Sequence, residues 1–191
     1  MLELKPVALL AAIFRESLMK KQYPQESWWI DGLKLSASAI DRTGVFSSRF
    51  IREGTVVIRW GGIVFTGSEM REGKACQHTY VGIDDDLFLA NPAAQPPGLD
   101  DFMNHSCDGN LWMEDDTTLI ARRDIMADEE LTSDYALWLN LPEYRMKTPC
   151  NCHSPLCRHT ITGLDWRIPE VQKRYFGHFS PFINKLILKN S

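Results

Sequence analysis

The sequence predicts an α+β fold, mainly β, in which several small sheets are flanked by helices at the two ends of the chain. From residue 28 onward, short apolar segments alternate with Gly, Asp and Pro at spacings typical of strands and turns. No segment of helical length separates these strands, which argues against a doubly wound parallel sheet. With 191 residues, the chain is long enough for one domain with a hydrophobic core.

The first predicted element is a helix over residues 7–21, because apolar residues from Leu9 to Leu18 recur at helical spacing. Its first part resembles the apolar region of a signal peptide. However, the acidic Glu3 precedes it and no small-residue cleavage site follows. We therefore expect a protein without a clear secretion signal, either cytoplasmic or, if it is eukaryotic or delivered to a host, nuclear.

Nine strands follow in the prediction, at residues 28–30, 33–36, 45–46, 55–60, 63–65, 80–83, 87–90, 111–114 and 117–121. Gly and Asp clusters between them are typical of turns. Between the strands we predict a short helical insert at 66–73 and a Pro-rich loop at 91–99. After them we predict a short helix at 143–147 and two terminal helices that begin at Pro169 and Pro181.

The charge pattern excludes some classes of partner. A net charge of −4 argues against non-specific nucleic-acid binding, and no apolar run approaches the roughly 20 residues of a membrane span. Acidic clusters at residues 84–86, 114–116 and 128–130 are interpreted as solvated turns. An acidic rim for a cationic substrate is the alternative interpretation.

Four cysteines are spaced as metal ligands. Cys150, Cys152 and Cys157 supply three thiolates within eight residues, and the upstream Cys107 can supply a fourth. Tetrahedral zinc takes four such ligands, with Zn–S distances of about 2.3 Å. A site closed by four sulfurs has no open position for a substrate, so the spacing predicts a structural zinc site.

The remaining His and Cys residues near this pattern leave alternatives open. His153 and His159 adjoin two of the cysteines and are possible substitute ligands. Cys76 is distant and is interpreted as a small core residue. The odd number of cysteines favours metal ligation in a reducing compartment over disulfides.

Three segments in this order carry a family resemblance: Asn-His-Ser-Cys at 104–107, Glu-Leu-Thr-Ser-Asp-Tyr at 130–135, and the cysteines at 150–157. Together they resemble SET-domain protein lysine methyltransferases with a zinc-binding post-SET tail. The resemblance covers about residues 30–162. It implies the SET-domain (β-clip) fold with a knot-like C-terminal segment. The implied divisions are an N-terminal helical segment at 1–27, the SET domain at 28–137, the post-SET segment at 138–162 and C-terminal helices at 163–191.

The resemblance also implies the cofactor and the site. S-adenosylmethionine is the implied methyl donor, with Tyr135 beside the methyl group and Cys107 completing the zinc site with the three tail cysteines. The implied cofactor-binding residues are Thr43, Gly44, Val45, Phe46, Asn104 and His105. Tyr80 and Trp60 are weaker candidates for the substrate channel, and core packing explains them equally well.

The position two residues before Tyr135 sets the number of methyl groups in related enzymes. Here it holds Ser133, a small residue that leaves room in the channel. The resemblance therefore predicts di- or trimethylation rather than monomethylation.

The implied function is methyl transfer to the ε-amine of lysine in a protein substrate, either a histone or another basic protein. The alternative is a weak or inactive zinc-binding module that recognises a protein partner, and the departures from the family pattern at Arg42 and Gly109 support it. A zinc hydrolase is disfavoured because it needs an open metal site. The terminal helices are expected to pack on the core, with homodimerisation through them as another option.

Overall fold

The computed structural model describes residues 23–190, except for the side chains of residues 77–79. The helix predicted at 7–21 lies outside the described residues. Within residues 23–190, no helix has the length and apolar character needed to cross a membrane.

Eleven strands form two sheets: β1 (Trp28–Trp29), β2 (Leu33–Ala37), β3 (Thr43–Ser47), β4 (Val56–Arg59), β5 (Ile63–Thr66), β6 (Ala75–Asp84), β7 (Leu87–Pro92), β8 (Asn104–His105), β9 (Leu111–Met113), β10 (Thr118–Ala121) and β11 (Glu130–Ser133). The α-helices are α1 (Gly67–Arg71), α2 (Pro169–Arg174) and α3 (Pro181–Asn190). Single 3₁₀ turns occur at Leu99–Phe102, Tyr135–Leu137 and Asp165–Arg167. The prediction of a mainly β fold with small sheets is confirmed.

The larger sheet has the order β1-β4-β10-β9-β11-β3-β2, with β8 paired to β11 off this path. Strand β11 runs antiparallel to β3 and parallel to both β8 and β9. Its pairing places Thr132 opposite Asn104 and Ser133 opposite His105. Two sequence signatures that are distant in the chain therefore lie side by side.

The smaller sheet has the order β5-β7-β6. A capping box begins helix α1 after β5: the Thr66 hydroxyl accepts from the Glu69 backbone N–H, and the Glu69 carboxylate accepts from the Thr66 backbone N–H. This pair of bonds explains why the predicted insert at 66–73 is helical at Gly67–Arg71.

The C-terminal helices pack on the main core. Helix α3 begins at Pro181 as predicted, and the Ser180 hydroxyl accepts from the Ile183 backbone N–H at 3.3 Å. Trp166, Tyr175 and Ile183 are almost completely buried in the core cluster that also contains the central strands. These helices therefore cover the flank of the sheet assembly.

The helix predicted at 143–147 is wrong. Tyr144 N donates to Leu141 O as a turn, and Met146 N then donates to Ile161 O at 2.9 Å. An isolated bridge also joins Arg145 and Thr162. The segment pairs with the cysteine-rich tail, and these long-range bonds replace helical ones.

Candidate active site and metal centre

The four predicted cysteines meet in one cluster. The sulfurs of Cys107, Cys150, Cys152 and Cys157 all lie within 4.8 Å of one another. Four sulfurs bound tetrahedrally at about 2.3 Å from zinc would be about 3.8 Å apart, so the cluster needs only slight contraction around an ion. The donor set and its spacing therefore fit structural zinc. We call these four residues the cysteine cage.

Backbone N–H groups point at two of the cage sulfurs. Arg158 N lies 3.3 Å from Cys107 Sγ, and His159 N lies 3.4 Å from Cys157 Sγ. His153 and His159 adopt left-handed backbone conformations, with φ of 54° and 59°. Both histidines are exposed and neither belongs to the four-residue cluster. His159 Nδ1 nevertheless lies 4.0 Å from Cys157 Sγ, at the edge of the cluster.

The pKa values of three cage thiols are shifted in different directions. Burial raises the pKa of Cys107 to about 12 and also raises the pKa of Cys150. Burial acts in the same direction on Cys152, but hydrogen bonds from the Cys107 and Ser154 backbone and from the Cys150 and Cys157 thiols together lower that pKa to about 7. Four thiolates this close together require a cation, and zinc holds its thiol ligands deprotonated.

His105 connects the cage to Tyr135. Its Nδ1 accepts a hydrogen bond from the Tyr135 backbone N–H at 3.2 Å, so Nε2 carries the ring hydrogen and faces Cys107 Sγ at 3.3 Å. Burial lowers the pKa of this imidazole to about 4, which keeps it neutral. One buried ring thus fixes the spacing between the cysteine cage and the turn at Tyr135.

A cavity of about 760 Å³ lies beside this turn. Tyr135 is on its wall, and the phenol donates to the Met103 carbonyl at 3.0 Å. Trp138 continues the wall, with ring centroids 5.6 Å from Tyr135 and 4.9 Å from Trp60. The result is an aromatic surface next to a hydroxyl of fixed orientation.

The cavity brings together five of the residues predicted for cofactor and substrate: Thr43, Trp60, Tyr80, Asn104 and Tyr135. The other predicted residues do not line it: Gly44, Val45, Phe46, His105 and Ser133. Val45 is a core residue with no exposed surface, and His105 is buried behind Tyr135. In β8, the alternation of side chains along the strand places Asn104 in the cavity wall and its neighbour His105 outside it. The roles of these residues toward cofactor and substrate stay predictions.

Ser133 lies outside the cavity lining. It is completely buried, and its hydroxyl donates to the Leu111 carbonyl at 3.1 Å. The expectation of di- or trimethylation from the small size of this residue stays a prediction.

Gly44 is needed for close packing behind the cavity wall. A Cβ at this position would overlap the Glu130 carboxylate. That carboxylate accepts from Asn104 Nδ2 at 2.8 Å and from the Ser38 hydroxyl at 2.8 Å. Asn104 Nδ2 also donates to the Thr43 carbonyl at 3.2 Å. The missing side chain at Gly44 allows this network, which holds Asn104 in place.

Several lining residues were missed from the sequence. Asp100 and Asp101 form an acidic wall, and neither is in a salt bridge with another described residue. Burial and the neighbouring Asp100 raise the pKa of Asp101 to about 6. Trp138 and Tyr144 also line the cavity. The adjacent aspartates just before the Asn104 signature were a signal that could have been used.

Comparison with known proteins agrees with this geometry. Residues 42–136 match the family model described as SET domain. The chain is 32% identical over 151 residues to the Drosophila melanogaster histone-lysine N-methyltransferase ash1, and 31% identical over 160 residues to trr of the same species. These matches span 70% and 76% of this chain but only 7% and 6% of the relatives. The chain belongs to the SET-domain family.

Solved structures support the fold. The methyltransferase domain of human SETMAR has a TM-score of 0.53 at 23% identity, covering 66% of this chain and 56% of that one. Arabidopsis thaliana SUVH6, solved in complex with SAM, has a TM-score of 0.55 at 19% identity, covering 67% of this chain and 32% of that one. KRYPTONITE, solved with mCHG DNA and SAH, has a TM-score of 0.53 at 24% identity, covering 67% of this chain and 28% of that one.

Proposed function

We propose that this protein transfers methyl groups from S-adenosylmethionine to the ε-amine of lysine in a protein substrate. The observation that carries the proposal is the position of Tyr135. It lines a large cavity together with Thr43 and Asn104, and its backbone is linked through the His105 ring to Cys107 of the cysteine cage. The names of the matched relatives support the same activity.

The cavity suits the cofactor. Its volume of about 760 Å³ lies in the range of about 300–1,000 Å³ typical of small-molecule sites. We assign Thr43 and Asn104, which line it, to cofactor binding, with Gly44, Val45, Phe46 and His105 supporting them from behind. When bound, S-adenosylmethionine supplies a methyl group on a positively charged sulfur. The SUVH6 and KRYPTONITE complexes support this choice of cofactor.

Tyr135 orients the lysine amine. Its hydroxyl hydrogen is engaged by the Met103 carbonyl, so the oxygen lone pairs are free to accept an N–H from the substrate. Holding the amine in line with the methyl group can contribute roughly 7–11 kcal/mol to lowering the barrier. The phenol therefore acts by alignment and does not remove a proton.

The aromatic wall favours the neutral, reactive form of the substrate lysine. A lysine with a pKa of about 10.4 costs roughly 4–5 kcal/mol to deprotonate at pH 7. Trp60, Trp138 and Tyr80 line the cavity. A lysine inserted against these rings would lose part of its hydration, and desolvation lowers the pKa of an ammonium group. The aromatic faces also attract the cationic chain before it loses its proton to solvent.

The acidic wall favours a basic protein as substrate. Asp100 and Asp101 face the same cavity, and carboxylates at a cavity edge attract lysine- and arginine-rich segments. The relatives ash1 and trr are named histone-lysine N-methyltransferases. We therefore propose a histone or another basic protein as the substrate. The corresponding location would be the nucleus or the cytoplasm.

The cysteine cage has a structural role. Four sulfur ligands leave no open position on zinc, and the cage ties the tail to Cys107 next to the Asn104 and His105 segment. We propose the divisions 1–27, 28–137, 138–162 and 163–191 as helical segment, SET domain, post-SET segment and C-terminal helices. The absence of nucleic-acid and membrane binding, and dimerisation through the helices, stay predictions.

A second candidate function is partner recognition without catalysis. It is favoured by Arg42, which lines the cavity in a left-handed conformation with φ of 41°, a conformation that usually selects glycine. Calorimetry with the zinc-loaded protein separates the two candidates. No S-adenosylmethionine binding would favour the recognition module.

Turnover tests the main proposal. Purified protein, S-adenosylmethionine and core histones or lysine-rich peptides should produce S-adenosylhomocysteine at a rate that depends on the peptide. Tyr135→Phe should bind cofactor with similar affinity and lose most turnover. Cofactor binding without peptide-dependent product from the wild-type protein would contradict methyl transfer.

A further inference from the structure

A buried ion network joins the cysteine-rich tail to the turn at Tyr135. Arg158 makes two parallel bonds with Asp134, Nη1 to Oδ2 at 2.7 Å and Nη2 to Oδ1 at 2.8 Å. Its Nε bonds Asp165 Oδ2 at 2.9 Å. The three side chains are 13%, 0% and 5% exposed. This fork geometry fixes the guanidinium relative to both carboxylates.

Arg158 is also attached to the cage. It follows Cys157 directly in the chain, and its backbone N–H points at Cys107 Sγ at 3.3 Å. Cys157 through the chain and Cys107 through this hydrogen bond therefore fix the position of the Arg158 backbone. Its side chain then extends from the metal centre toward the end of β11.

Asp134 connects this arginine to the catalytic turn. It precedes Tyr135 directly, and its Oδ1 accepts from the Ala136 backbone N–H at 3.0 Å, which caps the 3₁₀ turn Tyr135–Leu137. Rotation of the Asp134 carboxylate would change both the cap and the direction of the Tyr135 backbone. The carboxylate is held by the two Arg158 bonds in addition to this cap.

We propose that Arg158 is a positioning residue for Tyr135, through which the metal-bound tail sets the angle of the phenol in the cavity. The inference rests on the proposed function and deepens it. It assigns to the tail a role in alignment in addition to binding the metal. Arg158 lies outside the cavity lining and acts through Asp134.

The test compares Arg158→Lys with Arg145→Lys, a change at an exposed arginine in the segment that pairs with the tail. Lysine keeps the charge but cannot form the parallel pair of bonds. A misplaced phenol should lower kcat roughly 100-fold, while the KM values for cofactor and peptide stay within about threefold of wild type. Both variants should retain one zinc ion per chain and the wild-type near-UV circular dichroism, and Arg145→Lys should keep wild-type kcat.

Two further variants separate a loss of positioning from a loss of folding. Arg158→Gln alone would leave two buried carboxylates unpaired, and combining it with Asp165→Asn leaves only one. The double variant should reproduce the loss of kcat with zinc retained. Arg158→Ala should regain part of its kcat when ethylguanidinium is added, because the small cation can bind between the two carboxylates. Ethylguanidinium would also rescue a purely structural arginine by stabilising the fold, so kcat is measured at a temperature where Arg158→Ala is fully folded without the cation.

Three results would overturn the inference. The first is wild-type kcat in Arg158→Lys. The second is a loss of activity that follows loss of zinc or unfolding in every variant, and the third is the absence of guanidinium rescue. Failure of the proposed function is a different result, because the wild-type protein itself would then show no turnover.

Discussion

The phenol of Tyr135 donates a hydrogen bond of 3.0 Å to the backbone carbonyl of Met103. Met103 directly precedes the Asn104 and His105 segment, so one signature segment fixes the hydroxyl of the other. Burial raises the pKa of Tyr135 above its ordinary value. The phenol therefore stays protonated at neutral pH and can donate to Met103 while accepting from a substrate amine.

Replacing Tyr135 by phenylalanine should separate catalysis from folding. The loss of one buried hydrogen bond should lower the free energy of unfolding by only about 1 kcal/mol. Turnover should fall by roughly 100-fold or more, because the substrate amine loses its orienting acceptor. Denaturant titration and the rate of S-adenosylhomocysteine formation measure the two effects.

Tyr175→Phe is the matched control for this substitution. Tyr175 also donates to a backbone carbonyl, Cys107 O at 3.3 Å, but it does not line the cavity. It should lose similar stability and keep its turnover. Equal losses of turnover in Tyr135→Phe and Tyr175→Phe would show that the phenol at 135 acts only through stability.

Cys107→Ser should release the metal. Three thiolates bind zinc less tightly than four, and metal binding to a site absent from the unfolded chain contributes directly to folding. We expect the zinc content measured by atomic emission to fall well below one ion per chain, with a lower midpoint of thermal unfolding. Cys76→Ser, outside the cage, should keep its zinc; loss from both variants or from neither would contradict the assigned ligands.

Gly44→Ala should destabilise the cavity wall. The new methyl group would overlap the Glu130 carboxylate and disturb its bond with Asn104, at a cost of roughly 1–3 kcal/mol. Cofactor affinity measured by calorimetry should fall with it. At Gly82 an added Cβ meets its nearest atoms at 3.5 Å, so Gly82→Ala should be tolerated; equal effects at both positions would remove the special role of Gly44.

Peptide affinity should depend on pH through Asp101. Its pKa is raised to about 6 by burial and by the Asp100 charge, so the carboxylate is ionised above pH 6 and becomes neutral as the pH falls through that value. The dissociation constant of a basic peptide should therefore rise between pH 7.5 and pH 5. The slope should be smaller in Asp101→Asn when both are measured by fluorescence anisotropy. The same slope in the two proteins would exclude Asp101 as the titrating group.

The sequence predicted the features that depend on residue type and spacing. The three tail cysteines and Cys107 suffice to indicate a metal cage, because four cysteines at such spacings are the usual ligands of a structural zinc site. The proline starts of α2 and α3 also follow local rules. These predictions needed no knowledge of long-range packing.

Features set by long-range pairing were missed. The segment 143–147 is not helical because Met146 hydrogen-bonds to the backbone of Ile161. Ile161 lies beyond the cysteines in the chain. The inward direction of Ser133 depends on its register with His105 and Leu111 in β8 and β9, and a shift of one residue would reverse it. The pairing of Arg158 with Asp134 likewise exists only after the tail has folded back.

The transfer of an isotopically labelled methyl group tests the central claim most directly. Zinc-loaded protein, S-adenosylmethionine with a deuterated methyl group, core histones and a lysine peptide library are incubated together and analysed by mass spectrometry. We predict deuterated methyl-lysine with the wild-type protein and almost none with Tyr135→Phe. Methyl transfer positioned by Tyr135 would be contradicted if the folded, zinc-loaded wild-type protein labelled no lysine, or if Tyr135→Phe labelled lysine equally well.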